Sequence, residues 1–86
     1  GIFYRLFNFK SSTYQTIRFT EKVDGEFVPG TTNEEVVDML VDRFQHLNDR
    51  SWSVENELVL SLLQVIKNTL RRRLSRKIQN VKNYHG

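Results

Sequence analysis

The residues with the clearest chemical capacity in this chain are the basic ones near its end. Lys67, Arg71, Arg72, Arg73, Arg76, Lys77 and Lys82 form a run with no acidic residue among them. A guanidinium presents a planar fork of donors that matches a phosphate bidentately, and Arg is favoured over Lys where that geometry matters. On a helix, residues three and four apart are neighbours. Arg72 or Arg73, together with Arg76 or Lys77, can therefore grip one phosphate. Two plainer readings use the same residues: a solvated face that keeps the chain soluble, and backbone contacts to a nucleic acid, which require charge alone. No RNP motif, zinc finger or short recognition helix accompanies the charge to favour nucleic acid.

Two further residues draw attention only in context. His46 follows Phe44 near the end of the first helical pattern, where most histidines are surface groups. Asn56 lies in the first turn of the second, where a local bond to a free backbone N–H is the ordinary use of its side chain. The sequence otherwise lacks catalytic groupings. It has no cysteine, no Gly-rich phosphate loop and no His-x-x-x-His pair, and only two histidines. Glu34, Glu35, Asp38 and Asp42 suit the start of a helix better than catalysis. The expectation is a binding protein, not an enzyme, with no metal and no cofactor.

The elements that would position these residues are legible from pattern. Over the first 29 residues Phe3, Phe7 and Phe9 alternate with Tyr4 and Asn8, and Tyr14-Gln-Thr-Ile-Arg-Phe-Thr follows, with Ile17 and Phe19 on one face. Such alternation of β-branched and aromatic residues predicts half-buried strands. Asp24-Gly25 between Val23 and Phe27 is a two-residue hairpin signal. The pattern predicts a three-stranded antiparallel β-meander over 1–30 that needs a helix across its aromatic face.

Pro29-Gly30 ends the sheet, and Thr32-Asn-Glu-Glu35 reads as a capping box. A helix over 32–48 then carries Val36, Val37, Leu40, Val41, Phe44 and Leu47 at three- and four-residue spacing, with Asn48-Asp49 as its end. Ser51 or Ser53 caps a second helix over 53–81, with Val59, Leu62 or Leu63, Ile66, Leu70, Leu74 and Ile78 as its stripe. Trp52 is expected to staple the interhelical turn to the core. The class is α+β: a small N-terminal antiparallel meander on two helices, the second long and mediating oligomerisation.

Composition supports one domain with a partner. A chain of 86 residues buries a modest core, so a second copy is a source of further apolar burial. The net charge of +3 hides an asymmetry. Residues 1–66 hold six Lys/Arg against ten Asp/Glu, and residues 67–86 hold seven Lys/Arg and no acid. Apolar spacing continues through the basic stretch, which predicts a packed helix with a basic side. The absence of cysteine, of a membrane-length apolar run and of a signal-peptide pattern leads us to expect a cytosolic setting.

Together these residues make a recognisable order. Asp42-Arg43-Phe44-Gln-His46-Leu47-Asn48, then Ser53-Val-Glu55-Asn56, then Leu60, Leu63, Ile66 and Leu70, then Arg73 resembles the phage Thoeris anti-defence proteins of the first type described. That family pairs an Arg-Leu-x-x-Leu-Asn-like helix end with a Glu-Asn pair opening a long helix, an Arg-rich tract and a terminal Val-x-x-x-His. Val81-Lys-Asn-Tyr-His85 looks like that ending. The similarity covers residues 36–85 and runs without a gap through Arg73; the N-terminal strands match in character only.

The resemblance implies a sponge that sequesters cyclic ADP-ribose isomers, and often cyclic di- or trinucleotides, without cleaving them. It implies dimers, many assembling further into hexamers, in the cytoplasm of an infected bacterium. By position, His46 would stack on a base, Asn56 would hydrogen-bond to the ligand, and Arg43 would support that pocket. Arg73, with Arg76 or Lys77, would bind phosphate. Two departures stand out. The family prefers Phe or Tyr where His46 stands, and the chain is one residue short between Arg73 and Val81. The other functions considered are a small basic DNA- or RNA-binding protein and an inhibitor of a host protein.

Overall fold

A computed structural model describes the backbone of residues 1–85 and the side chains of residues 1–78. It shows the expected α+β class in the order β1 (Phe3–Phe7), β2 (Tyr14–Arg18), β3 (Glu21–Val23), β4 (Glu26–Val28), α1 (Asn33–Arg50) and α2 (Val54–His85). Two compact units divide the chain, residues 1–33 and residues 34–86.

The first unit is two separate antiparallel hairpins, β1 with β2 and β3 with β4, where a three-stranded meander was expected. The break falls at Phe19. It leaves the strand direction to make an isolated parallel bridge with Thr31, in which Thr20 N–H donates to Thr31 and Thr31 N–H donates to Arg18. Gly30 permits that approach. A Cβ there would stand 2.5 Å from the backbone of Phe19 and Thr20, which no side-chain movement could relieve.

Asp24 and Gly25 both take positive φ, 51° and 83°, and join Val23 to Glu26 across a two-residue turn of the type that suits strand twist. The β1–β2 loop is held instead by polar side chains. Asn8 Nδ2 donates to Thr13 Oγ1 at 2.8 Å, Gln15 Nε2 donates to Asn8 Oδ1 at 3.0 Å, and Lys10 supplies a positive φ. Phe9, read from sequence as part of the strand alternation, lies in this loop beyond β1 and is 90% exposed. Phe3, Phe7 and Phe27 are exposed too, contrary to the expectation of a covered aromatic face. A two-stranded ribbon has too little surface to enclose its own rings.

The second unit is an antiparallel helical hairpin. Its register is fixed at two points: Asn48 bonds to Glu57, and ten residues back along α1, Asp38 pairs with Lys67, ten residues on along α2. Between them the buried side chains are Val41 and Leu63, 5% and 8% exposed. Val37, Phe44, Val59, Leu60 and Leu70 flank them, half-buried. The predicted stripes face one another over this length except at Ile66, which is 45% exposed, and Leu63 rather than Leu62 is the buried member of its pair.

Two local expectations are revised and a third is narrowed. The first helix runs two residues past its predicted end, to Arg50. Ser53, rather than Ser51, caps α2, its hydroxyl accepting from Asn56 N–H at 3.0 Å. Trp52 is 63% exposed and staples nothing; the turn is held by Asn48, whose Oδ1 accepts from Ser53 N–H while its Nδ2 donates to Glu57.

Candidate functional site

The helical hairpin sorts the candidate residues into two groups. α1 begins five residues before Asp38. In this register, α2 passes the end of α1 near Arg72. Beyond that point α2 continues past the end of α1 for about 20 Å of helix at 1.5 Å per residue. Arg73, Arg76 and Lys77 all lie on the projection and are exposed. At 100° per residue, Arg73 sits between Lys77, one turn ahead on the side of Leu70 and Leu74, and Arg76 on the other side. Both remain within reach of a phosphate held by Arg73. Among the described residues none of the three has a carboxylate partner, and the last acidic residue of the chain is Glu57. Lys82 and the 81–85 ending have side chains outside the described residues.

Lys67 behaves differently. Its Nζ lies 3.3 Å from Asp38 Oδ1, and it is largely buried between the helices. It serves the hairpin, so the sequence run mixes a structural lysine with exposed phosphate-binding candidates. A recess of about 30 Å³ lies beside this pair, lined by Glu34, Val37, Asp38, Lys67, Leu70 and Arg71. That is space for a water, far below the few hundred Å³ of a nucleotide-sized pocket.

The second group sits near the turn of the hairpin. Arg43 and His46 are three residues apart on α1, a position that places them away from Val41 and on the outer face, and both are exposed. His46 Nδ1 donates to the Asp42 carbonyl at 2.9 Å, and the Asp42 carboxylate is 3.6 Å away. The carbonyl bond first and the carboxylate second raise the imidazole above its ordinary 6.5. Asn56 is on the α2 face turned toward α1, half-buried, and its backbone N–H is taken by Ser53. The N-cap bond is therefore made by the Ser53 hydroxyl and not by the Asn56 side chain.

The two groups are far apart within one chain. Asn56 and Arg73 are 17 residues apart on one continuous helix, about 26 Å. One protomer cannot place both against a single small ligand. Leu74 and Ile78, which continue the Leu63–Leu70 stripe past the end of α1, are half exposed. Among the described residues, no cluster of three His, Asp or Glu side chains could hold a metal ion, and no helix is long and apolar enough to cross a membrane.

Comparison of the chain with family models, with curated proteins and with solved structures gives no match. The functional reading therefore rests on the residues and their geometry.

Proposed function

We propose that this protein is a phage-encoded sponge that binds cyclic signalling nucleotides, such as cyclic ADP-ribose isomers or cyclic di- and trinucleotides, and holds them without cleavage. The observation that carries this reading is the exposed cation group Arg73, Arg76 and Lys77 on α2 beyond the end of α1, with no carboxylate partner among the described residues. Three cations without carboxylate partners bind phosphate more strongly than cations already engaged.

The turn end supplies complementary chemistry. His46 offers an exposed imidazole ring for stacking and, when protonated, a charge. Asn56 offers an amide with donor and acceptor, and Arg43 a further guanidinium. Such a set binds a polyanionic, base-bearing ligand and contains no acid–base pair matched to cleaving one. Copies paired through the Leu74–Ile78 stripe would bury the apolar surface that one protomer leaves open. The resemblance in residues 36–85 points to the same function and the same dimeric or hexameric assembly.

Isothermal calorimetry with a panel of cyclic ADP-ribose isomers, cyclic dinucleotides and cyclic trinucleotides tests the proposal. Submicromolar binding of at least one, with the ligand recovered intact on heating, is the expected result. No binding across the panel, or recovery of a linear product, would overturn it.

A further inference from the structure

The β1–β2 ribbon carries a surface that the sponge does not use. Its register sets Phe3 opposite Arg18, Arg5 opposite Thr16 and Phe7 opposite Tyr14. Alternation along the strands places all six on one face. Two stacked sets result. The Arg18 guanidinium lies over the Phe3 ring at 5.4 Å. The Arg5 guanidinium lies over Tyr14 at 4.9 Å, and Phe7 meets the edge of Tyr14 at 5.7 Å. The opposite face is different in kind, with Tyr4, Leu6, Gln15 and Ile17.

All six side chains are exposed. Neither guanidinium has a carboxylate partner among the described residues; each lies over a ring with donors left over. An exposed face meant only for solvent would be polar, and one meant for an apolar partner would lack free cations. Alternating rings and unpaired guanidiniums suit a ligand that is flat, aromatic and anionic at repeated intervals. The spacing from Phe3 to Phe7 is about 14 Å, which suits bases of one strand that are not adjacent, with phosphates of the intervening backbone between the two sets.

We propose that this face binds single-stranded nucleic acid, with bases stacking on the Phe3–Arg18 and Phe7–Tyr14–Arg5 sets and the arginines contacting the intervening phosphates. A duplex keeps its bases stacked inside and offers such a face little. The face uses residues of the first unit and none of the α2 cations, so it stands or falls independently of the sponge.

The test is fluorescence anisotropy of the full chain with a labelled twelve-nucleotide oligo-dT and with a twelve-base-pair duplex at moderate salt. Single strand should bind more tightly than duplex. Phe3→Ala and Arg18→Gln should each weaken single-strand binding by about fivefold or more. The Arg5→Gln/Arg18→Gln pair should lower the salt slope by about 1.4. Leu6→Ala, which perturbs the same ribbon from its other face, should leave binding unchanged. Several results would overturn the proposal: no binding, equal affinity for duplex, a loss with Leu6→Ala as large as with Phe3→Ala, or a loss confined to Arg73→Ala. So would light scattering in which Phe3→Ala turns an oligomer into a monomer while oligonucleotide affinity is unchanged, which would make the face a contact between copies. Calorimetry with cyclic nucleotides reads the α2 group separately, so either site can fail alone.

Discussion

Lys67 Nζ and Asp38 Oδ1 stand 3.3 Å apart across the helical hairpin, with the lysine largely buried and the aspartate half exposed. This pair and the Asn48–Glu57 bond ten residues away set how far α2 extends beyond α1. They thereby decide that Arg73, Arg76 and Lys77 lie beyond the end of α1. The partial exposure limits the energy of the pair. A double-mutant cycle of Asp38→Asn and Lys67→Met should give a coupling of about 0.2–1 kcal/mol, shrinking in 1 M salt, where screening acts over about 3 Å. Chemical denaturation of the four proteins measures it.

Asn48 holds the turn with two side-chain bonds, one to a backbone N–H and one to a carboxylate. Asn48→Ala should cost about 1–3 kcal/mol because both partners lose a bond. Ser53→Ala, which removes only the N-cap, should cost about 1 kcal/mol. Thermal unfolding should rank the two in that order.

Leu63 and Leu74 lie on the same stripe of α2 but only Leu63 is buried. Leu63→Ala should destabilise the fold by about 2–5 kcal/mol. In dilute protein Leu74→Ala should stay within about 0.5 kcal/mol. If copies pair through the projection, wild-type unfolding midpoints rise with protein concentration and Leu74→Asp removes that rise. Denaturation at several concentrations reads both effects.

How much of this was legible in the sequence depends on how local each signal is. The facing pattern of Val37, Val41, Phe44, Leu63 and Leu70 follows from helical period, and the turn at Asp24-Gly25 from the conformations those two residues allow. The capping role of Ser53 was narrowed to two serines. Long-range pairing was not legible. Nothing in the spacing of Phe19 shows that it leaves β2 to bridge Thr31, which splits the expected meander into two hairpins. Trp52 looked like an anchor because large rings are usually buried, yet Asn48 does that work through polar bonds. For the candidate site, the sequence singled out Arg73, Arg76 and Lys77 but grouped them with Lys67, because a charge run does not reveal which member has a partner across the helix pair.

His46 should titrate above the ordinary histidine value, since the Asp42 carbonyl and carboxylate both favour its protonated form. A raised folded pKa means that the favourable interaction is fully present below 6.5 and is lost as pH rises through the raised value. Phosphate affinity aided by the imidazolium should decline over the same window. An NMR titration of the ring proton should give a midpoint above 6.5 in the wild type and a lower one in Asp42→Asn. The decrease should be partial, because the carbonyl bond, the larger cause, remains. A wild-type midpoint at or below 6.5 would contradict the geometry.

Calorimetric titration of the best-binding member of the cyclic nucleotide panel into wild-type protein and into Arg73→Ala asks whether the exposed cations of α2 hold the ligand's phosphates. Submicromolar affinity is expected for the wild type and a loss of tenfold or more in the variant, about 1.4 kcal/mol or above, with the fold unchanged because Arg73 is exposed. Equal affinities in the two proteins, or no heat from either, would contradict that role for the α2 cations.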